Sequence, residues 1–268
     1  MKEGNIMNSV LVMGLIILAI AILMSMVGKG GGNFYVLAMV LAGTSMHKAA
    51  STSQIIMMTT AFTSMLIFNK SKVVDWKLAL VIDPPTDIMA FVGGYFAGYI
   101  QATTLKLVFA IILIVVSIFM FLKVKEKPIP KKKKFGYWNR EFGKYKYTVN
   151  LWLTLPITAL VGLFAGAIGI SGGAFKIPLM VMLCGIPIEV AVGTSSAMVA
   201  ATALMGFIGH AANGNFDLTY AIPLALIAVV GGFIGSKFAL KRKPKNLKKI
   251  FAVTNLVAAL MMIINILN

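Results

Sequence analysis

Long apolar stretches, separated by glycine, proline or charged residues, divide the chain into two halves of five segments each. In the first half they run from Ser9 to Val27, Asn33 to Ala42, Ala49 to Phe68, Leu78 to Tyr99 and Leu105 to Leu122. In the second half they run from Val149 to Ile168, Ala174 to Leu183, Val190 to His210, Leu218 to Leu240 and Leu247 to Leu267. Four of each five approach the roughly 20 residues that a membrane-spanning helix needs. The pattern predicts an all-α integral membrane protein with a short, broken second helix in each half.

The halves share motifs but differ in the charges of their loops. The glycine-rich stretch from Gly28 to Gly32 recurs from Gly169 to Gly173. The loop after the third segment carries Lys70, Lys72 and Lys77 in the first half and no basic residue in the second, whereas the loop after the fourth segment is basic only in the second half, from Lys237 to Lys249. Short basic loops stay in the cytoplasm. The exchange predicts two inverted-topology repeats, an arrangement typical of secondary transporters.

This topology gives three parts: a first transmembrane repeat at 1–122, a basic cytoplasmic linker at 123–147 and a second repeat at 148–268. Five passes in each repeat place all three basic regions in the cytoplasm and both chain ends outside. Lys48 and Lys106 fall on the wrong side in this scheme. The run from Val10 to Val27 has no cleavage site after it, so we expect a retained span and not a signal peptide.

Composition agrees with a membrane protein, since 59% of the 268 residues are hydrophobic and only 12% are charged. The net charge of +17 is concentrated between Lys123 and Lys146, where ten of the 25 basic residues lie. A polybasic segment beside membrane helices binds anionic lipid head groups. No nucleic-acid-binding module accompanies it, so we expect no nucleic-acid partner. Cys184 is the only cysteine, which excludes an internal disulfide.

The two glycine clusters are the first candidates for a binding site. Glycine interrupts helices, and irregular backbone survives within a membrane only where protein or a water-filled cavity covers it. The free amides at the start of the next helix favour an anion, although a tight turn with close packing is an alternative. The predicted substrate-binding glycines are Gly28, Gly30, Gly31, Gly32, Gly169, Gly172 and Gly173, together with Ser171 between them.

Hydroxyl and lysine side chains near the clusters extend this prediction. Thr52-Ser53 and Thr194-Ser195 begin the third segments, where they either bind oxyanion oxygens or cap the helices. Lys176 lies in an apolar setting and is a candidate cation for the substrate, while Lys29 can reach the membrane surface more easily. A lysine within the bilayer needs an anionic partner or a path to the interface.

Four further polar residues are candidates for coupling or gating. Asp83 and Asp87 lie four apart on one helix face and are able to share a proton, or to serve only as a helix cap at the break before Pro84. His210 is predicted at the membrane interface, with an outer gate as the alternative, and it precedes Asp217. The motif Gly169-Ile170-Ser171-Gly172-Gly173 also fits a serine nucleophile elbow, so an intramembrane serine protease with His210 as base is a remote alternative.

The second half carries the motifs through which the chain resembles the TauE/SafE family, the sulfite exporter family of membrane permeases. They are Gly166-Ala167-Ile168-Gly169-Ile170-Ser171-Gly172-Gly173 with Pro178, Gly185, Ala191-Val192-Gly193-Thr194-Ser195, His210, Gly214, Asp217 and Gly231-Gly232. A degenerate copy from Gly28 to Gly98 extends the resemblance over nearly the whole chain, and departs from it at Lys29 and His47-Lys48.

The resemblance implies a permease of the cell membrane, not an enzyme, that carries sulfite, thiosulfate or organosulfonates without a bound cofactor. We expect the anion to bind between the two glycine clusters while the repeats rock to expose it alternately. A permease for another solute, or for a cation bound by Asp83 and Asp87, is the alternative, and a membrane assembly factor is a third. The sequence leaves open the direction of transport, coupling to protons or sodium, and a homo-oligomeric state.

Overall fold

The computed structural model describes residues 2–28, 30–121, 135–170, 172–214, 216–241 and 244–267, and this part of the chain is mostly helical. Helix α1 (Lys2–Ser25) begins the first half. It is followed by α2 (Gly32–Leu41), α3 (Met46–Lys70), α4 (Trp76–Ile82), α5 (Pro84–Ala97) and α6 (Ala102–Phe121). Strands β1 (Tyr137–Phe142) and β2 (Tyr145–Asn150) come next. The second half has α7 (Leu151–Ile168), α8 (Gly173–Pro178), a π-helical turn (Leu179–Leu183), α9 (Ile188–Ala212), α10 (Leu218–Ala239) and α11 (Pro244–Leu267).

Strands β1 and β2 form an antiparallel hairpin, so the expectation of an all-α fold was wrong in this region. The hairpin occupies the end of the predicted linker, with Tyr137 opposite Asn150 and Phe142 opposite Tyr145. Gly143 has a φ of 55° in the two-residue turn, where a positive φ suits a hairpin. Tyr147 and Val149 alternate with exposed or half-buried residues and are themselves buried. This alternation, which is typical of a strand, was not recognised in the sequence because many basic residues surround it. Residues 123–134 of the linker lie outside the described ranges.

Four helices of the described ranges are long and apolar enough to cross a membrane: α3, α7, α9 and α10. Shorter apolar helical stretches occur at Val12–Ser25, Gly32–Leu41 and Ala102–Val115. Helix α2 has ten residues and is therefore about 15 Å long, roughly half of the hydrocarbon thickness. Its counterpart in the second half consists of α8 and the π-helical turn. The structure thus has a short helical element at both places where the sequence predicts one.

The fourth segment of the first half is broken, whereas that of the second half is continuous. The chain divides at Asp83 because Pro84 and Pro85 lack the N–H groups that would continue α4. Both prolines are placed at the start of α5, where a missing N–H costs nothing. Pro223 lies inside α10 without ending it. Two helices, α4 and α5, therefore replace the predicted single segment from Leu78 to Tyr99.

The fourth segment of each half packs against the first and third helices of the other half. Helix α5 packs against α7 and α9, and α10 packs against α1 and α3. Glycines allow the closest approaches. A Cβ atom on Gly93 would lie 2.0 Å from the carbonyl oxygen of Leu163, and one on Gly235 would lie 2.1 Å from that of Ile22. Gly93 and Gly235 occupy equivalent positions in α5 and α10, so the two halves use the same contact.

The molecule has two distinct ends. At the hairpin end, which we define by β1, β2 and the loop from Ser71 to Asp75, Arg140 of β1 binds Asp75. At the opposite end, Asn213 after α9 donates a hydrogen bond to the carbonyl of Tyr95 near the end of α5. Lys106 near the start of α6 donates to Asn265 near the end of α11 at 2.8 Å. The α3–α4 loop and the α9–α10 loop therefore lie at different ends of α4 and α5.

Candidate functional site

The two glycine clusters meet inside the helix bundle. All of the predicted glycines, at positions 28, 30, 31, 32, 169, 172 and 173, are buried. A Cβ atom on Gly173 would lie 2.9 Å from the carbonyl oxygen of Gly28 and 2.9 Å from Ser195 Oγ. The interior thus brings together backbone from both breaks and a hydroxyl of α9. Lys29 and Ser171 lie outside the described residues.

Each break lies on the third helix of the other half. Gly28 has a φ of 68°, and a Cβ atom there would approach the carbonyl oxygen of Val192 in α9 to 2.5 Å. Gly169 has a φ of 74°, and its Cβ would approach the carbonyl oxygen of Ala50 in α3 to 2.6 Å. Both the backbone conformation and the space require glycine at these two positions. The breaks are held by contacts between the halves and do not face lipid.

The four hydroxyl residues near the start of the third helices are buried, and they do not cap them. Helix α3 begins at Met46 and α9 at Ile188, so Thr52, Ser53, Thr194 and Ser195 lie inside these helices. The capping alternative is therefore wrong, because both helices begin about one turn or more before these residues. Their side chains point to the bundle interior, where they are able to interact with the breaks.

Three of these hydroxyls have different surroundings. Ser53 Oγ donates to the carbonyl oxygen of Gly169 at 2.7 Å and thereby ties α3 to the second break. Thr194 Oγ1 accepts a hydrogen bond of 3.0 Å from the backbone N–H of Asp75 at the hairpin end. Ser195 Oγ is buried and has no hydrogen-bond partner among the described residues. A buried polar group normally has a partner, so Ser195 is the hydroxyl that is available to a ligand.

Lys176 is fully buried in a cluster with two aspartates. Its ammonium group donates to the carboxylate of Asp83 and, at 2.7 Å, to Thr202 Oγ1. Thr202 Oγ1 donates in turn to Asp87 Oδ1 at 2.7 Å. Lys176 therefore has the anionic partner that a lysine in the bilayer needs. That partner is a side chain of the first half, so an anion reaches the ammonium only in competition with Asp83.

Asp83 does not act as the helix cap that the sequence offers as an alternative. It stands between α4 and α5, but its side chain accepts no capping hydrogen bond and turns to Lys176 instead. Asp87 lies one turn further along α5 and is half-buried. The pair therefore lies on one helix face, as predicted. Thr202 joins the second carboxylate to the cluster, and no pattern in the sequence points to this threonine.

The two remaining candidates lie at the opposite end. His210, predicted at the membrane interface, is fully buried among the helices at this end, and its Nε2 lies 2.9 Å from the carbonyl oxygen of Gly166. The close packing of α5 and α7 around the last turn of α9 causes this burial. Asp217 is exposed and caps α10 by accepting from the N–H of Tyr220 at 3.2 Å. Since Nε2 of His210 is engaged with backbone, that nitrogen is not free to activate a serine.

A second buried carboxylate, missed as a site in the sequence, lies at the hairpin end. Asp75 accepts two hydrogen bonds of 2.9 Å from Arg140 and another from the hydroxyl of Tyr147. It also caps α4 by accepting from the N–H of Leu78 at 3.2 Å. Burial acts to raise the pKa of the Asp75 carboxyl, but these hydrogen bonds outweigh it and hold that pKa below its usual value. Asp75 occupies the position in the first half that Asp217 occupies in the second, and this recurrence was the signal in the sequence.

Within the described ranges, no three His, Cys, Asp or Glu side chains come close enough together to hold a metal ion. The polar interior instead consists of the glycine breaks, hydroxyls and the Lys176 cluster.

Known proteins with similar sequences carry transporter names. The chain is 27% identical over 240 residues to the probable membrane transporter protein YunE of Bacillus subtilis, covering 85% of this chain and 88% of that protein. It is 26% identical over 244 residues to the probable membrane transporter protein MJ0441 of Methanocaldococcus jannaschii, covering 84% and 83%. A second Bacillus subtilis protein, the probable membrane transporter protein YdhB, is 38% identical over 85 residues, or 32% of this chain and 35% of that protein. No solved structure matches the chain.

The sequence profile of the sulfite exporter TauE/SafE family matches residues 13–262. This match includes both glycine breaks, the Lys176 cluster and Asp75. Together with the apolar helices, it makes the protein a multi-pass membrane protein. The chain belongs to the sulfite exporter TauE/SafE family of membrane transporters.

Proposed function

We propose that the protein is a secondary transporter of the plasma membrane that carries small sulfur-containing anions, such as sulfite, thiosulfate or organosulfonates, by alternating access. The observation that carries this proposal is the meeting of Gly28 and Gly173 beside the buried hydroxyl of Ser195, which has no hydrogen-bond partner in the part of the chain that the structure describes. A polar interior without a metal cluster in the described ranges suits a solute that is bound through hydrogen bonds. The family description, sulfite exporter, supports this class of substrate.

The start of helix α2 supplies backbone N–H donors for an anion at this place. The first N–H groups of a helix have no partner within the helix, and the helix dipole favours negative charge there. Helix α2 begins at Gly32 directly after the first break, and its start is buried. Sulfite and sulfonate groups present several acceptor oxygens, which amides and the Ser195 hydroxyl can satisfy together. We propose that the glycines, Thr52, Ser53, Thr194 and Ser195 form the walls of this site.

The packing of α5 against the second half and of α10 against the first half supports alternating access between inverted repeats. Helices α1 and α10 run in the same direction. Gly14 of α1 lies beside Ile227 of α10, and further along both helices Ile22 lies beside Gly235. Helices α5 and α7 do the same, with Gly162 beside Thr86 and Gly166 beside Ala90. The third-to-fourth loops of the two halves meet different ends of the bundle. We infer from this that a rocking movement of the repeats exposes the site to each side in turn.

The lysine distribution assigns the two ends to sides of the membrane. The α3–α4 loop carries Lys70, Lys72 and Lys77 and contacts the basic linker region through Asp75 and Arg140. We infer that the hairpin end faces the cytoplasm and anionic head groups. The same reasoning puts the α9–α10 loop and the end of α11 outside the cell. Cysteine labelling of Asn69→Cys and Asn213→Cys variants in intact cells tests this, because only the latter should react.

Replacement of Ser195 by alanine tests the binding site. We expect Ser195→Ala to weaken the binding of thiosulfate or sulfite roughly ten- to a hundredfold, because a hydrogen bond to a charged group contributes about 1.5–3 kcal/mol. The measurement is uptake of labelled thiosulfate and sulfite into vesicles that contain the purified protein, as a function of anion concentration.

Ser196→Ala is the matched control. Ser196 is the next residue of α9, is equally buried, and donates to the carbonyl oxygen of Gly193 in its own helix at 2.7 Å. It should leave the concentration dependence of uptake unchanged. Equal behaviour of the two variants would remove Ser195 from the site, and wild-type vesicles that carry none of the sulfur anions would refute the proposed function.

A further inference from the structure

The Lys176 cluster brings a cation of the second half and two carboxylates of the first half together inside the bundle. Lys176 is on α8 and contacts Asp83 directly, whereas Asp87 is reached only through Thr202. Removing one partner of a buried ion pair leaves the other charge without compensation, at a high cost. Neither Asp83 nor Lys176 is therefore able to leave the pair unless another charge replaces it.

The ammonium of Lys176 lies directly beside the second glycine break. A Cβ atom on Gly172 would lie 3.4 Å from Lys176 Nζ. The ammonium also approaches the carbonyl oxygen of Met198 to 3.5 Å, and Met198 lies about one turn beyond Ser195 on α9. The carboxylate of Asp83 thus occupies a position next to the place where we propose that the anion binds.

We propose that Asp83 is an internal competitor of the transported anion for Lys176, and that it gives up the ammonium only as the protonated acid. This inference rests on the proposed anion transport. When the anion arrives, a proton from the aqueous phase forms an O–H bond with the Asp83 carboxylate, and the anion takes its place beside the ammonium. Lys176 keeps its charge throughout. With a monovalent anion such as a sulfonate, one proton and one negative charge enter the site together, so the total charge of the site is unchanged.

Among the residues that the structure describes, no other charged group of the neighbouring helices lies in the cluster; Lys29 of the first break is outside them. Helix α7 carries no charged or titratable side chain. On α4, α5, α6 and α9 the other titratable residues lie near the helix ends and are Lys77, Tyr95, Lys106, Glu189 and His210. Asp87, which accepts from Thr202, is the second carboxylate at the cluster and the nearest alternative site for the proton. Asp83 is the competitor because, of the two carboxylates, it is the one that contacts the ammonium directly.

The test measures the pH dependence of anion binding to the purified full-length protein. Methanesulfonate is the probe, because its own charge does not change over the pH range of the measurement. Wild-type affinity should fall tenfold for each pH unit of increase wherever the empty protein holds ionised Asp83, since one proton is bound with each anion. Asp83→Asn, which retains the size of the side chain without the competing charge, should bind more tightly than wild type and independently of pH.

Glu141→Gln is the matched control, because Glu141 is an exposed carboxylate of the hairpin in an ion pair with Lys146. It should retain the wild-type slope. A slope in Asp83→Asn equal to that of wild type would overturn the inference and point to Asp87 or another proton site.

A second measurement needs no variant. Addition of methanesulfonate to the wild-type protein in weakly buffered solution with a pH indicator should remove one proton from solution for each anion bound. Binding without proton uptake would overturn the inference while leaving the proposed function intact. Absence of both binding and transport of sulfonate, sulfite and thiosulfate would instead refute the proposed function itself.

Discussion

Asp75 and Asp217 occupy equivalent positions at the two ends of the molecule, and their surroundings differ. Each caps the helix that follows it by accepting from a backbone N–H three residues later, at 3.2 Å in both cases. Asp75 is buried beneath the hairpin and binds Arg140 and Tyr147, whereas Asp217 is exposed. The same residue is thus a simple cap at one end and the centre of a polar network at the other. The hairpin between the repeats creates this asymmetry, and it covers one end only.

The largest loss of stability that distinguishes the two ends is expected when Arg140 is replaced. Arg140→Ala leaves the Asp75 carboxylate buried without its cation, so we expect a loss of about 3 kcal/mol of stability. The measurement is thermal unfolding of the detergent-purified protein, where the melting temperature should fall by several degrees. Lys146→Ala breaks an exposed ion pair of the same hairpin and should have little effect, since such pairs contribute about 1 kcal/mol or less. Equal effects of both variants would contradict the importance of Asp75.

A smaller effect should appear when acid is used to titrate Asp75. Because hydrogen bonds hold the pKa of Asp75 in the folded protein below its unfolded value, the stabilisation is complete above the unfolded pKa of 3.8. It is lost as the pH falls through the lower, folded pKa. The difference in melting temperature between wild type and Asp75→Asn should therefore shrink as the pH is lowered below about 4. A difference that stays constant down to that pH range and below would show that the charge of Asp75 contributes nothing.

The smallest effect is expected at the exposed end. Asp217→Ala removes a helix cap with no other side-chain partner among the described residues, so the loss should be about 1 kcal/mol. Asp75→Ala, measured in the same way, should cost clearly more. If the two substitutions destabilise the protein equally, the hairpin adds nothing to the cap that both residues provide.

The sequence predicted those features of the site that depend on local pattern. The glycine runs at Gly28 and Gly169 indicate helix breaks whatever their tertiary surroundings, because glycine is unfavourable inside a regular helix. The short second segments and the shared face of Asp83 and Asp87 likewise follow from helical spacing. These elements needed no knowledge of distant partners, and the structure has them.

The partners across the halves could not be predicted in this way. Lys176 finds Asp83, and Ser53 finds Gly169, through the packing of helices that are far apart in the chain. The capping alternative for Thr52 and Thr194 was wrong because α3 and α9 begin earlier than the apolar pattern suggested. The hairpin was missed because a high density of lysine outweighed the alternation of Tyr145, Tyr147 and Val149. For the pairs Lys176–Asp83 and Ser53–Gly169, a tertiary contact and not a local preference decided the outcome.

The packing of Gly28 against Val192, and of Gly169 against Ala50, has a consequence for membrane insertion and folding. During synthesis, the first break is inserted long before α9, the helix against which it packs. The first half must therefore remain in the bilayer without this tertiary contact. Its mature conformation depends on a surface that the ribosome has not yet made. A polypeptide with a single half of this kind would have to pair with a second, oppositely inserted copy. Only then would its glycine break contact a third helix of the other copy, as Gly28 and Gly169 do here.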